Sequence, residues 1–281
     1  MEEETKKMFD YSTVRNNIDY PWVVFIHGFG GSSITWKGQI EEYSKHFNLL
    51  LLNLHGNISR TYDLDIKSIC NNIYATLCNE KINRAFFVSM SSGSLVALVY
   101  ASCFPDTIMG MIMAGGMIRF NTLTKTLLYI ARKLKHVIPY LTLYKFFAHI
   151  IMPGKNHKKS REIFVRESDK LGHVEFAKWV DLLPILINNE EIIKKINCKN
   201  EPIPFIYIMG SQDHLFKTPI QKDISLLKEA KVIIIEECGH VCTIEKTDIF
   251  NQISVDYIKN IYNNKMHFCN NINGIKELDN E

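Results

Sequence analysis

Six short apolar runs recur along the sequence, and each ends in small or polar residues. They begin at Trp22, Phe47, Ala85, Ile108, Pro204 and Lys231 and read WVVFIHGFGG, FNLLLLNLHGN, AFFVS, IMGMIMAGG, PFIYIMGSQD and KVIIIEECGH. An apolar run bounded by turn residues is typical of a strand buried on both faces of a sheet. Segments with helical spacing lie between several runs, as at Ile66, Ile69, Ile73 and Leu77. Because strand and helix alternate, the sequence predicts an α/β fold with a mostly parallel central sheet flanked by helices.

A long helical stretch interrupts this alternation. About 85 residues between the IMGMIMAGG run and Pro202 contain no clear strand, far more than a normal connection. Apolar stripes at helical spacing run through it at Leu123, Leu127, Ile130 and Leu134, and again at Phe176, Val180 and Leu183. The sequence therefore predicts a discontinuous core, residues 1–117 and 202–281, with an inserted helical cap over residues 118–201. The polar tail from Lys265 to Glu281 is expected to lie outside the fold.

Charge and cysteine content narrow the possible functions. A net charge of +3, without zinc-finger spacing or basic runs interleaved with aromatics, argues against nucleic-acid binding. Seven scattered cysteines and an N-terminal stretch without the apolar core of a signal peptide predict a cytoplasmic protein with reduced thiols. The segment CGHVC places Cys238, His240 and Cys242 close together, but a structural zinc site normally needs a second ligand pair. We therefore expect no metal site.

The segment FFVSMSSGSL contains the candidate nucleophile. A nucleophile elbow has the form G-x-S-x-G, because its serine occupies a strained corner between strand and helix where only small neighbours fit. The corresponding residues are Ser89, Met90, Ser91, Ser92 and Gly93. Serine replaces the first glycine, and an apolar strand precedes the corner as the motif requires. Ser91 is therefore the predicted nucleophile, although serine-rich turns are also common without any chemical role.

From about residue 20 to residue 262, apart from the cap, the chain resembles the α/β-hydrolase superfamily. HGFGGSS looks like the loop that supplies one oxyanion-hole N–H, which the resemblance places at Phe29, and the second N–H follows the nucleophile at Ser92. The resemblance gives His27 a loop-shaping role, and the small residues Gly28, Gly30 and Gly93 belong to the same motifs. Asn53 and Asn57 in NLHGN depart from the residues that often occupy the family's glycine loop.

The family's order of triad residues, serine then acid then histidine, is also met. Asp213 follows the run PFIYIMG, and His240 follows the run KVIII. The alternative acid position, after IMGMIMAGG, holds Met117, Ile118 and Arg119, none of which is a carboxylate. Taken singly, Asp213 is also explained as a turn residue and His240 as a structural histidine. His214 is explained either as a solvated neighbour of Asp213 or as a substrate contact.

Such a triad predicts acyl transfer. Ser91 would attack a carbonyl, His240 would move the proton, and water would release the acyl group. Hydrolysis of a carboxylic ester or thioester of a small or acyl-chain substrate, without metal or organic cofactor, is the first interpretation. An acyltransferase, a C–C bond hydrolase and a non-catalytic ligand-binding member of the fold remain open, as does the oligomeric state.

The predicted cap is strongly basic. Ten Lys or Arg residues and no Asp or Glu lie between Thr107 and Arg161. Cations near a pocket entrance favour an anionic group, so we expect the cap to admit an acyl chain and to attract anionic substrates. Two alternatives are a solvated basic face balanced by acids elsewhere, and weak contact between the cap and an anionic lipid surface.

Overall fold

A seven-stranded sheet organises the chain. The computed structural model describes residues 9–56, 64–184 and 190–276. The strands are β1 (Phe9–Val14), β2 (Trp22–Ile26), β3 (Asn48–Gly56), β4 (Ala85–Met90), β5 (Ile108–Ala114), β6 (Phe205–Gly210) and β7 (Ala230–Ile235). Their order is β1-β3-β2-β4-β5-β6-β7, with β1 antiparallel to β3 and all other neighbours parallel. This confirms the predicted mostly parallel sheet.

Helices flank the sheet. They are α1 (Lys37–Ser44), α2 (Ile66–Asn79), α3 (Gly93–Cys103), α4 (Thr122–Leu134), α5 (Tyr140–Ile151), α6 (Lys158–Asp169), α7 (Gly172–Leu182), α8 (Glu190–Asn197), α9 (Lys217–Asp223), α10 (Cys242–Glu245) and α11 (Thr247–Lys276). Every residue of β4 is buried. Since successive side chains of a strand point to opposite faces, the sheet is covered on both faces at its centre.

The predicted strands were found, and one strand was missed. β1 lies at the edge of the sheet, and its sequence FDYSTV mixes polar and apolar residues. An edge strand has one neighbour and a partly solvated surface, so it lacks the continuous apolar run that identifies a central strand. At the other end of the chain, α11 continues through Lys276, so the part of the predicted tail from Lys265 to Lys276 is helical.

Five helices, α4 to α8, lie between β5 and β6, where the sequence predicts the cap; we call them the helical insertion. The predicted stripe on α4 is displaced by one residue. Leu123 and Ile130 are exposed, whereas Thr124, Leu128 and Ala131 are buried. The spacing is helical in both cases, but the buried face includes a threonine and an alanine that apolar periodicity does not select. In the described part of the chain, no helix is both long and apolar enough to cross a bilayer.

Candidate active site

The turn between β4 and α3 has the strained geometry expected of a nucleophile elbow. Ser91 has φ of +50°, in the left-handed region that residues other than glycine rarely adopt. A Cβ atom on Gly93 would lie 2.5 Å from the carbonyl oxygen of His27, so only glycine fits there. Ser89, the serine in place of the first glycine, is fully buried and donates to Met113 Sδ at 2.9 Å. The corner therefore accepts serine at that position.

Three side chains distant in sequence form one hydrogen-bonded chain. Ser91 Oγ lies 2.8 Å from His240 Nε2, and His240 Nδ1 lies 2.8 Å from Asp213 Oδ2. Because a carboxylate accepts hydrogen bonds, Nδ1–H donates to Asp213, which leaves Nε2 free to accept from the Ser91 hydroxyl. The structure thus brings together the three residues that the sequence proposes as a triad, in the arrangement needed for general-base activation of serine.

The sheet explains why these residues meet. Ser91 follows β4, Asp213 follows β6 and His240 follows β7, and the carboxyl ends of parallel strands share one edge of the sheet. Asp213 is fully buried, and its second oxygen accepts the backbone N–H of Phe216 at 3.1 Å. The Phe216 ring packs 4.8 Å from the His240 ring, measured between centroids. These contacts therefore fix the positions of Asp213 and His240, as the roles of an orienting acid and a base require.

Phe29, the predicted oxyanion-hole residue, has a hydrogen bond that the sequence does not indicate. Its N–H donates to Ser92 Oγ at 2.7 Å. Ser92 is the N-cap of α3, where the first N–H groups of a helix have no intrahelical acceptor. The Ser92 N–H therefore lies at the positive end of the helix dipole, beside the Ser91 hydroxyl. Engaging Phe29 N–H with a substrate oxygen requires it to exchange its bond to Ser92 Oγ.

His27 joins two strand ends rather than reaching the substrate. Its Nε2 accepts the backbone N–H of Leu54 at 2.9 Å, so Nδ1 carries the proton and donates to the carbonyl of Gly28, also at 2.9 Å. His27 is almost fully buried, and Gly30 takes the positive φ of +74° that the loop needs. These contacts lie within the loop for which the sequence predicts a shaping role of these residues.

Beside Ser91 lies a cavity of about 170 Å³. Its wall is almost entirely apolar, and more than half of the lining residues lie between Phe120 and Leu183, including Leu128, Ala131, Phe147, Ile151, Phe164 and Phe176. Among the described residues, no Lys, Arg, Asp or Glu lines this cavity. The described cations of the cap do not line this cavity, because the pocket-facing sides of the insertion helices are apolar, and the expected attraction of an anionic group near its entrance stays a prediction.

A second, polar cavity of about 530 Å³ adjoins the first and shares Phe120 and Leu215 with it. His214 and the cations Arg119, Lys125 and Lys222 line it, together with Glu190 and Asp223. Arg119 pairs with Asp223. Of the ten basic residues between Thr107 and Arg161, two, Arg119 and Lys125, line this neighbouring cavity. His214 lines the polar cavity and not the one beside Ser91.

Several contacts between the insertion and the site have no signal in the sequence. The Tyr144 hydroxyl on α5 donates to the carbonyl of Phe29 at 2.9 Å, which ties α5 to the loop after β2. Glu245 accepts the backbone N–H of Gly239 at 2.7 Å and lies 3.6 Å from His157 Nε2. Gly239 precedes His240, so this buried carboxylate ties the histidine loop to the insertion. These residues are far apart in sequence and belong to no motif, so only the tertiary structure identifies them.

Asn53 and the cysteines near His240 have structural contacts. Asn53 Oδ1 accepts the backbone N–H of Ser33 at 2.7 Å and so supports the loop after β2. Asn57 lies outside the described residues. Burial raises the pKa of the Cys238 thiol to about 12, and burial also raises that of Cys242. Both thiols are therefore protonated at neutral pH, whereas metal ligation and nucleophilic attack require thiolate.

Comparisons with known proteins show the family and the fold. The model of a family described as "Alpha/beta hydrolase family" matches residues 23–253. A putative carbamate hydrolase, RutD, of Escherichia coli O150:H5 (strain SE15) is 20% identical over 252 residues, which cover 88% of this chain and 94% of that protein.

Two solved structures share the fold. The enol-lactonase from Burkholderia xenovorans LB400 superposes with a TM-score of 0.77 at 17% identity, covering 89% of this chain and 96% of that one. The meta-cleavage product hydrolase from Pseudomonas fluorescens IP01 superposes with a TM-score of 0.69 at 18% identity, covering 90% and 94%. The architecture described above is thus the α/β-hydrolase fold.

Proposed function

Because the chain belongs to the alpha/beta hydrolase family, we propose that it is a serine hydrolase that cleaves a carboxylic ester or thioester with a neutral, apolar acyl group. One observation carries the proposal. The hydrogen-bonded chain from Ser91 through His240 to Asp213 opens onto an apolar cavity whose described wall contains no charged side chain. Residues 118–201 would act as the cap that shapes this cavity, over a core formed by residues 1–117 and 202–281.

The first half-reaction forms an acyl-enzyme. Ser91 Oγ attacks the carbonyl carbon while His240 Nε2 takes the hydroxyl proton, and the carbonyl oxygen becomes an oxyanion. The N–H groups of Ser92 and Phe29 would donate to that oxygen, Phe29 exchanging its bond to Ser92 Oγ for one to the substrate. His240 then gives its proton to the leaving alcohol or thiol, and the bond between the carbonyl carbon and the leaving group breaks.

The second half-reaction releases the acyl group. Water enters in place of the leaving group, and His240 takes one of its protons as the oxygen attacks the acyl carbon. Collapse of the second tetrahedral intermediate returns the proton to Ser91 and frees the carboxylic acid. Throughout, Asp213 holds His240 in the tautomer with the proton on Nδ1 and stabilises the imidazolium while it exists.

Cavity size limits the acyl group. A cavity of roughly 150 Å³ lined by aliphatic and aromatic side chains accommodates a benzene molecule. The cavity beside Ser91, at about 170 Å³ and similarly lined, therefore suits a ring or a chain of about six carbons. We expect esters of butanoate, hexanoate and benzoate to be better substrates than esters of dodecanoate.

The same triad would also serve carbamate cleavage, C–C bond cleavage or acyl transfer to an alcohol or amine. The relatives named above include a putative carbamate hydrolase and a meta-cleavage product hydrolase, so these reactions belong in the test. A ligand-binding protein without catalysis is the alternative outside enzymes. We also propose a cytoplasmic location, which the free cysteines of the described chain support.

Two measurements test the proposed function. A fluorophosphonate probe should label the native protein at Ser91, because only an activated serine reacts rapidly, and Ser91→Ala should abolish labelling. A panel of p-nitrophenyl esters, acyl thioesters and aryl carbamates should then show the highest kcat/KM for a short neutral ester or thioester. No labelling of the folded protein would indicate a binding protein, and faster turnover of carbamates would replace the ester assignment.

A further inference from the structure

Exposed apolar side chains are concentrated on the helical insertion. Ten large apolar side chains are exposed in the described part of the chain, and six of them belong to the insertion: Leu123, Tyr129, Ile130, Val137, Phe146 and Val174. Val137 is 78% exposed and Tyr129 is 61% exposed. Single exposed apolar residues are normal on a protein surface, but a cluster rimmed by polar residues indicates an interaction site.

Helix geometry places most of these side chains on the side of the insertion that faces away from the cavity. On α4, Leu123, Ile130 and, just beyond the helix, Val137 recur every seven residues, while Leu128 and Ala131 line the cavity from an adjacent side of the helix. On α5, the exposed residues Thr142, Lys145, Phe146 and His149 follow helical spacing, while Phe147, Ala148 and Ile151 line the cavity. We call the two solvent-facing sides of α4 and α5 the outer face.

The charge of the outer face has one sign. Neither α4 nor α5 contains Asp or Glu. Asp181 on α7 pairs with Arg132 and Lys135. Lys133 and Lys145 are exposed, and neither has a carboxylate partner among the described residues. Lys133 instead lies over the Tyr129 ring, with Nζ 5.6 Å from the ring centroid.

From this combination we propose that the outer face docks the protein on an anionic phospholipid surface. Its apolar and aromatic side chains would enter the headgroup region, while Lys133 and Lys145 would meet lipid phosphates and carboxylates. A second copy of this chain fits the face less well, because a two-fold contact through the outer face would bring the same cations together. The inference rests on surface chemistry alone and is independent of the reaction at Ser91.

Vesicle co-sedimentation tests the proposal with the full chain. The protein should bind vesicles of equimolar phosphatidylcholine and phosphatidylserine at low salt, bind pure phosphatidylcholine far less, and release as salt is added. A lysine near an anionic surface contributes about 1 kcal/mol, which is about a fivefold change in partition coefficient. Lys133→Gln with Lys145→Gln should therefore lower partitioning about thirtyfold, while the control Lys67→Gln with Lys228→Gln should leave it nearly unchanged.

A second variant tests the apolar part of the outer face. Ile130→Ser with Phe146→Ser should lower partitioning on the order of tenfold or more, because both side chains would lose burial in lipid. Ile18→Ser with Ile249→Ser removes apolar groups elsewhere that are, as a pair, even more exposed, and it should have little effect. Hydrolysis of a soluble ester should be unchanged in every variant, since none of these residues lines the cavity.

Two results would overturn the inference. One is equal binding to neutral and anionic vesicles, or binding that the outer-face variants leave intact. The other is a dimer in size-exclusion chromatography that Ile130→Ser with Phe146→Ser converts to monomer, which would assign the outer face to a contact between copies. Failure of vesicle binding leaves fluorophosphonate labelling of Ser91 unaffected, so it is distinguishable from failure of the proposed function.

Discussion

The sheet core and the helical insertion contribute to the candidate site in different ways. The core supplies Ser91, Asp213 and His240, each held by specific hydrogen bonds at the end of a strand. The insertion supplies mainly apolar side chains to the cavity wall. A hydrogen-bonded site tolerates little change, because a displaced donor or acceptor loses its partner. An apolar cavity wall requires mainly side chains of the right volume, so many sequences can form it. We therefore expect chemistry to depend on the core and selectivity on the insertion.

Loss of the candidate nucleophile should have the largest effect. Ser91→Ala removes the hydroxyl that donates to His240 Nε2, so kcat should fall by about 10⁴-fold or more. Esterase kinetics with purified, folded variants measure this. Ser89→Ala and Ser92→Ala are matched controls and should keep activity within about tenfold, since both leave the backbone N–H donors in place.

Ser94→Ala is a different control. Ser94 Oγ donates to the carbonyl of Ser91 at 2.5 Å and accepts the N–H of Met117 at 3.0 Å. Its loss should lower the free energy of unfolding by about 1 to 3 kcal/mol while folded protein stays active. An inactive but folded Ser89→Ala variant would instead show that the elbow is in a different register from the one described.

Removal of the orienting carboxylate should have the next largest effect. Asp213→Asn keeps the size of the buried side chain but replaces one acceptor oxygen with a donor, which favours the wrong tautomer of His240. We expect kcat to fall about 10³- to 10⁴-fold, with an unchanged circular dichroism spectrum. Full activity in this variant would mean that another carboxylate orients His240 or that the triad does not operate.

A change in the insertion should alter selectivity and leave the chemistry intact. Ala131 is buried on α4 and lines the cavity, so Ala131→Leu should fill part of it. The value of kcat/KM should fall about tenfold to a hundredfold for hexanoate and benzoate esters and change little for an acetate ester. Steady-state kinetics of both proteins with the acetate, hexanoate and benzoate esters measure these values of kcat/KM. An equal loss for every ester would show that the insertion governs the chemistry as well.

The smallest expected effect concerns the polar cavity. Lys125 lines it beside Phe120 and Leu215, which also border the apolar cavity. Lys125→Gln should lower kcat/KM about fivefold for an anionic ester at low salt, because one solvated charge contact is lost. The value of kcat/KM for a neutral ester of matched length should stay unchanged. Added salt should remove the difference. Equal salt dependence of both esters in the native protein would contradict any steering by these cations.

The sequence by itself determined the central sheet and the residues at its carboxyl edge. Long apolar runs are required where a strand is buried on both faces, and the turn after such a run needs small residues, so both leave a strong local signal. Ser91 was predicted from the elbow motif, and Asp213 and His240 from the resemblance to the family's triad order, each at a position after an apolar run. Their meeting follows from parallel pairing, which puts the ends of β4, β6 and β7 on one edge.

Only the tertiary structure decided which faces of the insertion line the cavity, how the loops around Ser91 are tied and where the edge strand lies. The stripe through Leu123 and Ile130 is apolar but exposed, because the small residues Thr124 and Ala131 allow the other face of α4 to approach the core. The bonds from Phe29 N–H to Ser92 and from Tyr144 to Phe29 join residues distant in sequence, so no local pattern encodes them. Which face of a helix is buried depends on how well each face packs against its neighbours, whereas apolar periodicity in the sequence reports only how apolar each face is.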